Sequence, residues 1–563
     1  MKVNCVKSAN ETPAGCSIQE SNFRAGQPAR FRNSNSKPSI KARGPASALV
    51  IMLCSLVLCP STFPGQTTVL ADDVKRASAK LNNEARRAMR KGEYTAAIDI
   101  YKSILDKNDQ DLQARLGISW AYVKDQDYSL CFNHATEALR IDPANARGHA
   151  LAGLALLRSG HIREAVASLQ QAINLNPRES LAYGAAAEID YYEGRVKEAR
   201  ERALYAHKLD PQEPDYVMTY ARASSRAEDY KEAADAYEIF LDIAPVSDTE
   251  RLDRIRGLIR FYRKLSGMPV HQLTGSGRTE VPFRLGSDRR PYITVKINGR
   301  DAIFVVDTGS GFTVVSKHAA KRLGVSEIAR GGNSQGVGGD GKFPIIYGLI
   351  KMMHLGAARI RMVPCFIREF HGVNDRPPEE QPDGFIGLSV LSHFITELDY
   401  KNNMMRLDRD GDGTLLADLP DATVVPFRTT QNGLISIETE FDERHRVNAI
   451  LDSGASSTVV SMAAVERLKL HDQIIKGQTI NVIGAAGITS NVNLIYIRNC
   501  RVANLKQNNL RALVLDFNAI NETSGFEQSG ILGGDFLRHF RLTIDFNRTR
   551  LVFQPHSNAV EKQ

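Results

Sequence analysis

The sequence predicts two architectures in one multidomain chain, an all-α solenoid followed by an all-β, β-rich domain whose text is written twice. Three observations carry this. Pro143, Pro177, Pro211 and Pro245 recur every 34 residues, closing phrases such as EALRIDP, QAINLNP and AHKLDP, and a fixed period of that size marks stacked helix pairs. Beyond Gly267 the pattern changes to short β-branched runs, among them YITVKING, AIFVVD and RIRMVPCFI, separated by Gly and Pro. Finally, FVVDTGSGFTVVS at Phe304–Ser316 returns as AILDSGASSTVVS at Ala449–Ser461, which sets Asp307 and Asp452 145 residues apart.

The first element is a leader, residues 1–71. A chain of 563 residues with 42% hydrophobic and 24% charged residues is long enough for two to four globular domains. The net charge of +8 suggests a nucleic-acid partner only until it is located. Residues 1–46 hold eight Lys/Arg against two Glu and residues 47–71 hold no charge, so six of the eight positive charges belong to the leader. No nucleic-acid partner is expected. The apolar run SALVIMLCSLVLC (Ser47–Cys59) and VLA before Asp72 read as a secretory signal with a small-residue cleavage site. Export to a periplasmic or secreted location is the expectation. An uncleaved leader tethering the chain to a membrane, an organellar transit peptide and a start at Met52 are the rivals, and no later segment reads as a membrane span. Of seven cysteines only Cys131, Cys365 and Cys500 follow the leader, too scattered for a disulfide framework or a metal.

The solenoid is assigned to residues 76–267. Small residues return in register at Ala97, Cys131, Ala165, Ala199 and Ala233, where paired helices need close backbone approach. GLALLRSGHIREAVASLQQAINLNP (Gly153–Pro177) resembles the tetratricopeptide repeat in its glycine, alanine and closing proline, and the resemblance implies five repeats that bind a protein partner, with a rigid spacer or dimer contact as the alternative role. SDTERLDRIRGLIRFYRKLSG (Ser247–Gly267) opens on a capping-box pattern, Ser247 and Glu250, and reads as a terminal capping helix with a polar face. Residues 268–290 read as a linker.

The β domain is assigned as half 1 over 291–407, an inter-lobe linker over 408–424, half 2 over 425–555 and a tail over 556–563. A second phrase repeats with the first: DGFIGLSVLSHFITELDY (Asp383–Tyr400) matches SGILGGDFLRHFRLTIDF (Ser529–Phe546) at an offset of 146, which Asp399 and Asp545 keep. Each half also has a glycine-rich tip, GVGGDG from Gly336 and GAAG from Gly484. The arrangement resembles the pepsin-like and retropepsin-like aspartic proteases, with the usual retropepsin dimer fused into one chain. The resemblance implies catalytic Asp307 and Asp452, cross-bonding hydroxyls on Thr308 and Ser453, and flaps at Gly336, Val337, Gly338 and Gly339 and at Gly484, Ala485, Ala486 and Gly487.

The chemistry explains the residue types. An unpaired carboxylate on an apolar strand costs several kcal/mol, whereas two facing carboxylates share one proton, so that one activates water and the other polarises the peptide carbonyl. Gly309 and Gly454 permit the tight turn. Ser310 follows the first glycine and Ala455 the second. A Ser310 hydroxyl donating to Asp307 favours its charged form, so Asp307 is expected to be the more ionised acid and Asp452 to carry the proton. The expected function is aspartic-type endopeptidase on a polypeptide substrate, with no cofactor and no metal; a non-catalytic scaffold that keeps the fold is the alternative. DRDGDGTLLADL (Asp408–Leu419) has Leu419 where a calcium loop needs a bidentate Glu, so it reads as a solvated link. RPPEEQP (Arg376–Pro382) reads as a solvated loop, and His354, His371, His393 and His539 show no metal-ligand spacing.

Overall fold

A computed structural model describes residues 66–336, 342–372, 376–409, 411, 421–442 and 445–556. Residues 1–65 of the leader, Val337, Gly338 and Gly339 of the first tip, and most of the Asp408–Leu419 stretch lie outside them. The expected cleavage point after Ala71 falls inside the first helix. No helix among the described residues is long and apolar enough to cross a membrane.

Helix pairs form the first half: α1 (Gln66–Lys91) with α2 (Tyr94–Leu105), α3 (Leu112–Lys124) with α4 (Tyr128–Ile141), α5 (Ala146–Arg158) with α6 (Ile162–Leu175), α7 (Ser180–Tyr192) with α8 (Val196–Leu209), and α9 (Pro214–Arg226) with α10 (Tyr230–Ile243). The turns inside the pairs place Gly92, Gln126, Gly160, Gly194 and Glu228 at positive φ, 34 residues apart. That conformation favours glycine, and Gln126 and Glu228 adopt it without that advantage. Ala97, Cys131, Ala165, Ala199 and Ala233 are fully buried, which is the close approach the period predicts.

α11 (Thr249–Leu265) departs from expectation. Its N-cap is Asp248, whose side chain accepts the Arg251 N–H, rather than Ser247. Nor does it end the array against solvent. Leu252, Ile255, Phe261 and Leu265 are buried in a core shared with Tyr347 and Leu349 of the β domain, and the Phe261 and Tyr347 rings stack at 4.2 Å.

The residues assigned to a linker over 268–290 are mostly strand. β1 (Gln272–Gly275) and β2 (Arg278–Leu285) open the β domain, followed by β3 (Pro291–Ile297), β4 (Arg300–Val306), β5 (Thr313–Ser316), β6 (Ser326–Gln335), β7 (Lys342–Leu355), β8 (Ala358–Arg368), β9 (Gly384–Ile386), β10 (Ile395–Asp399) and β11 (Met404–Asp408). The Gly-Ser-Gly text around Gly275 marks the turn between β1 and β2 rather than an unpaired segment, because Val281 and Phe283 bury their side chains in the core. Half 2 contributes β12 (Thr423–Pro426), β13 (Arg428–Thr429), β14 (Ile435–Phe441), β15 (His445–Leu451), β16 (Thr458–Ser461), β17 (Ile474–Ile483), β18 (Ile488–Val502), β19 (Leu505–Leu515), β20 (Gly530–Leu532), β21 (Phe540–Asp545) and β22 (Arg550–Pro555). The inter-lobe segment thus already pairs from Thr423, against Phe553.

The two halves repeat one topology. In half 1 the order runs β3-β4-β9-β5-β8-β7-β6, and in half 2 β14-β15-β20-β16-β19-β18-β17. In each, the strand entering the acid turn runs parallel to the apolar-Gly strand, Val306 beside Ile386 and Leu451 beside Leu532. Gly384 is a packing requirement there, since a Cβ would lie 2.2 Å from the Phe304 ring. A shared ribbon, β12-β22-β21-β10-β11-β2, joins the halves, and Asp399 within it is fully buried against Arg541 of half 2.

Candidate active site

Both acid turns begin where their strands end. Asp307 N–H donates to Ile386 O and Asp452 N–H to Leu532 O, each at 3.0 Å. The two turns then interlock. Thr308 N–H donates to Ser453 Oγ at 3.1 Å and Ser453 N–H to Thr308 Oγ1 at 2.9 Å, while the two hydroxyls donate onward to Leu451 O and Val306 O, both at 2.8 Å. Both hydroxyl residues are buried, so these four bonds answer every donor at the junction. Thr308 and Ser453 therefore stand where the sequence places them.

The interlock seats each carboxyl over the opposite glycine. A Cβ on Gly309 would lie 2.2 Å from Asp452 Cγ, and one on Gly454 2.5 Å from Asp307 Oδ1. Only glycine leaves that room. The carboxyls share a side-chain hydrogen bond, so the acids separated by 145 residues form one half-buried pair.

The local donors favour the proton on the opposite acid from the one the sequence suggests. Ser310 Oγ donates to Phe312 O at 2.7 Å instead of to Asp307, leaving Asp307 with one backbone donor, Gly309 N–H at 2.9 Å. Asp452 Oδ1 accepts two, from Gly454 at 2.8 Å and Ala455 at 3.0 Å. Burial, then the Asp452 charge and the shared hydrogen bond, push Asp307 well above the usual carboxylate range. Burial raises Asp452 as well, but hydrogen bonds from Asp307 and from the two amides oppose that rise. The unequal backbone donors favour the proton on Asp307 and the charge on Asp452.

Two cations face the pair that sequence reasoning did not single out. Arg290 acts on both acids, and Arg368 on Asp307. Arg290 is fixed by Asp288 at 2.7 Å, and Asp288 is braced in turn by Arg376. The RPPEEQP loop is thus not merely solvated: its Glu380 is buried and accepts the Ser287 N–H at 2.9 Å. Arg368 ends the apolar strand β8, lies 5.2 Å over the Phe343 ring and donates to Ala485 O at 2.5 Å. An Arg closing the apolar run MVPCFI was the available signal.

The glycine-rich tips converge. Gly484 N–H donates to Gly487 O at 2.8 Å, closing the β17–β18 turn. A Cβ on Gly336 would lie 3.2 Å from Ala485 Cβ and 3.6 Å from Ala486 Cβ. A cavity of about 860 Å³ lies between the inner solenoid helices and the β domain, reaching Gly311, Phe312 and Asn432 beside the acid turns. The three thiols are free and buried, Cys365 within the apolar core of the β domain.

A family model described as Aspartyl protease matches residues 293–390 and 437–536, and one described as Tetratricopeptide repeat matches 82–146 and 151–214. Protein DDI1 homolog 1 of Homo sapiens is 25% identical over 179 residues, covering 31% of this chain and 40% of that protein. Protein DDI1 homolog 2 of Danio rerio is 26% identical over 156 residues, covering 26% and 34%. The chain therefore spans two-fifths or less of the length of these curated relatives. Among solved structures, a thermophilic TPR protein of Thermus thermophilus, TTC0263, is 18% identical with a TM-score of 0.28, covering 34% of this chain and 98% of that one. PilF of Pseudomonas aeruginosa is 16% identical with a TM-score of 0.27, covering 34% and 87%. The chain is thus similar to tetratricopeptide repeats in its first half and, in two separate segments of its second half, to the aspartyl protease family.

Proposed function

We propose that the protein is an aspartic-type endopeptidase in which Asp452 takes a proton from a water held between the acids while Asp307 donates to the peptide carbonyl. The reciprocal Thr308–Ser453 lock carries this reading, because it holds the two carboxyls in the one geometry that lets them share a proton. The raised Asp307 value keeps the singly protonated pair populated above the ordinary carboxylate range, so activity extends toward neutral pH and falls once Asp307 ionises. The tips at Gly336 and Gly484–Gly487 act as flaps over an extended peptide.

The solenoid positions a protein substrate. The 860 Å³ cavity is consistent with this, being lined at one end by inner-helix side chains such as Lys124, Thr219 and Arg222 and at the other by Gly311 and Asn432, though by neither acid. The composition of the leader supports export. Incubating the chain with a peptide library from pH 3 to 8, with and without a statine-type inhibitor, tests the activity: inhibitor-sensitive cleavage lost in Asp307→Asn is expected. Cleavage that survives Asp307→Asn ends the proposal, and no cleavage at any pH favours the scaffold alternative.

A further inference from the structure

The sequence shows no metal spacing among its histidines, yet folding gathers three candidate ligands from three separate segments. Glu228 lies in the α9–α10 turn, His271 between α11 and β1, and His393 after the short helix Leu388–Leu391 that follows the apolar-Gly phrase of half 1. One donor atom from each lies within 4.8 Å of the other two. His271 Nδ1 is 2.6 Å and His393 Nε2 3.6 Å from the same carboxylate oxygen, Glu228 Oε1, and the rings sit 4.5 Å apart.

We infer that Glu228, His271 and His393 bind a divalent transition-metal ion of the zinc class that clamps the solenoid to the half of the β domain carrying Asp307. Two imidazoles and one carboxylate form a borderline donor set suited to zinc, and three protein ligands leave a fourth position for water. That position opens on the cavity, which all three residues line.

Three observations support the site beyond proximity. His271 is 6% exposed, and its Nε2 is buried without a hydrogen-bond partner among the described residues. That nitrogen is not the one that meets Glu228 and stays unanswered when Nδ1 takes the ion; what the burial adds is that His271 is held inside the fold with Nδ1, at Glu228, as its engaged ring atom. His393 is also hydrogen-bonded to the Ser389 backbone, the outer-shell contact that orients a ligating imidazole. Glu228 has φ +60° at the turn position that three of the other four repeats fill with glycine, and His271 has φ +47°. A strained backbone at both residues is consistent with positions kept for their side chains.

The 2.6 Å contact is a proton-bridged pair, and a cation replaces that proton and widens the pair toward the ~3.3 Å of a tetrahedral ligand edge. The consequence reaches the active site. Ser389 accepts the Thr313 N–H at 3.1 Å and its own N–H donates to Gly311 O at 2.9 Å, so the ion steadies the segment that follows the Asp307 turn.

The test uses the full chain, stripped with a chelator and titrated with zinc chloride and with cobalt chloride. One equivalent of zinc should survive dialysis, cobalt should give visible absorption of tetrahedral strength, and a hundredfold excess of zinc over its Kd should raise the melting midpoint by about 3–6 °C. Glu228→Gln, His271→Ala and His393→Ala should each weaken retention at least tenfold, roughly the loss seen even for outer-shell changes. Zinc-edge X-ray absorption on the parent chain needs no variant and should show two imidazoles and oxygen. A sulfur shell, no retained zinc, or retention unchanged in the His271→Ala/His393→Ala chain overturns the site.

Discussion

The two halves of the β domain have the same strand order and nearly the same acid turn, but they live in different surroundings. The first hairpin, β6–β7, is braced by the solenoid: α11 crosses it so closely that a Cβ on Gly257 would lie 2.1 Å from Gly331 Cα, Arg260 donates to Arg330 O at 2.6 Å, and Lys342 pairs with Glu250 at 2.8 Å. The second hairpin, β17–β18, leaves Ile480, Ile483, Ile488 and Tyr496 exposed by 40 to 54%. The acids differ in the same spirit. One backbone donor serves Asp307 and two serve Asp452, so a duplicated motif acquires distinct protonation roles from a few ångströms of local geometry.

The sharpest break of this comparison removes one acid at a time. Asp307→Asn and Asp452→Asn should each lower kcat/KM on a cleaved peptide by roughly 10²–10⁴-fold, and carboxyl carbon shifts in the parent should show the shared proton on Asp307. The same variant reports on stability. Because the folded state holds the Asp307 proton more tightly than the unfolded chain, its contribution is complete below about pH 4 and is lost as pH rises through the raised folded value. The melting temperature of Asp307→Asn should therefore gain on the parent's as pH increases, and parallel curves would refute the assignment.

Bracing comes next. Phe261→Ala empties a fully buried position stacked on Tyr347 and should cost about 3–5 kcal/mol in denaturant unfolding, with faster amide exchange in β6–β7 and none added in β17–β18. Equal acceleration of both hairpins would mean that α11 does not distinguish the halves. The seam also makes deletion of residues 72–267 a poor probe of recruitment, because it would strip cover from Tyr347 and Leu349.

The interlock should be close to symmetric. Thr308→Val and Ser453→Ala each leave a buried N–H of the opposite turn unanswered, a loss of about 1–3 kcal/mol, and a cost confined to one of them would show that one half holds the junction alone. The smallest change is electrostatic. Arg290 lowers both acids, so Arg290→Met should move both limbs of the pH profile of kcat/KM upward by roughly one unit. An unmoved profile would place Arg290 outside the dyad's field.

Much of this was legible in the sequence because it is written locally. A 34-residue period specifies which small residues meet in a helix pair, and a repeated Asp-Thr/Ser-Gly phrase after an apolar run specifies a strand ending in an acid turn. Ser247 was misread as a cap because Asp248, the adjacent residue, competes for the same amide and the tertiary entry angle decides between them. Residues 268–290 were misread as linker because turn residues at Gly275–Gly277 outweighed the alternation in RTEVPFRL, whose partners β3 and β11 are distant in sequence.

What the sequence by itself determined are the helix pairs, most of the strands and the two acid turns, since helix period, strand alternation and turn chemistry act over a few residues. What only the tertiary structure decided is how many backbone donors each acid receives, where Arg290 and Arg368 stand, that α11 braces one hairpin, and that Glu228, His271 and His393 meet. Each of these depends on distances of a few ångströms between groups dozens to hundreds of residues apart, and Coulomb forces, burial and hydrogen bonding respond to distance in space, not along the chain.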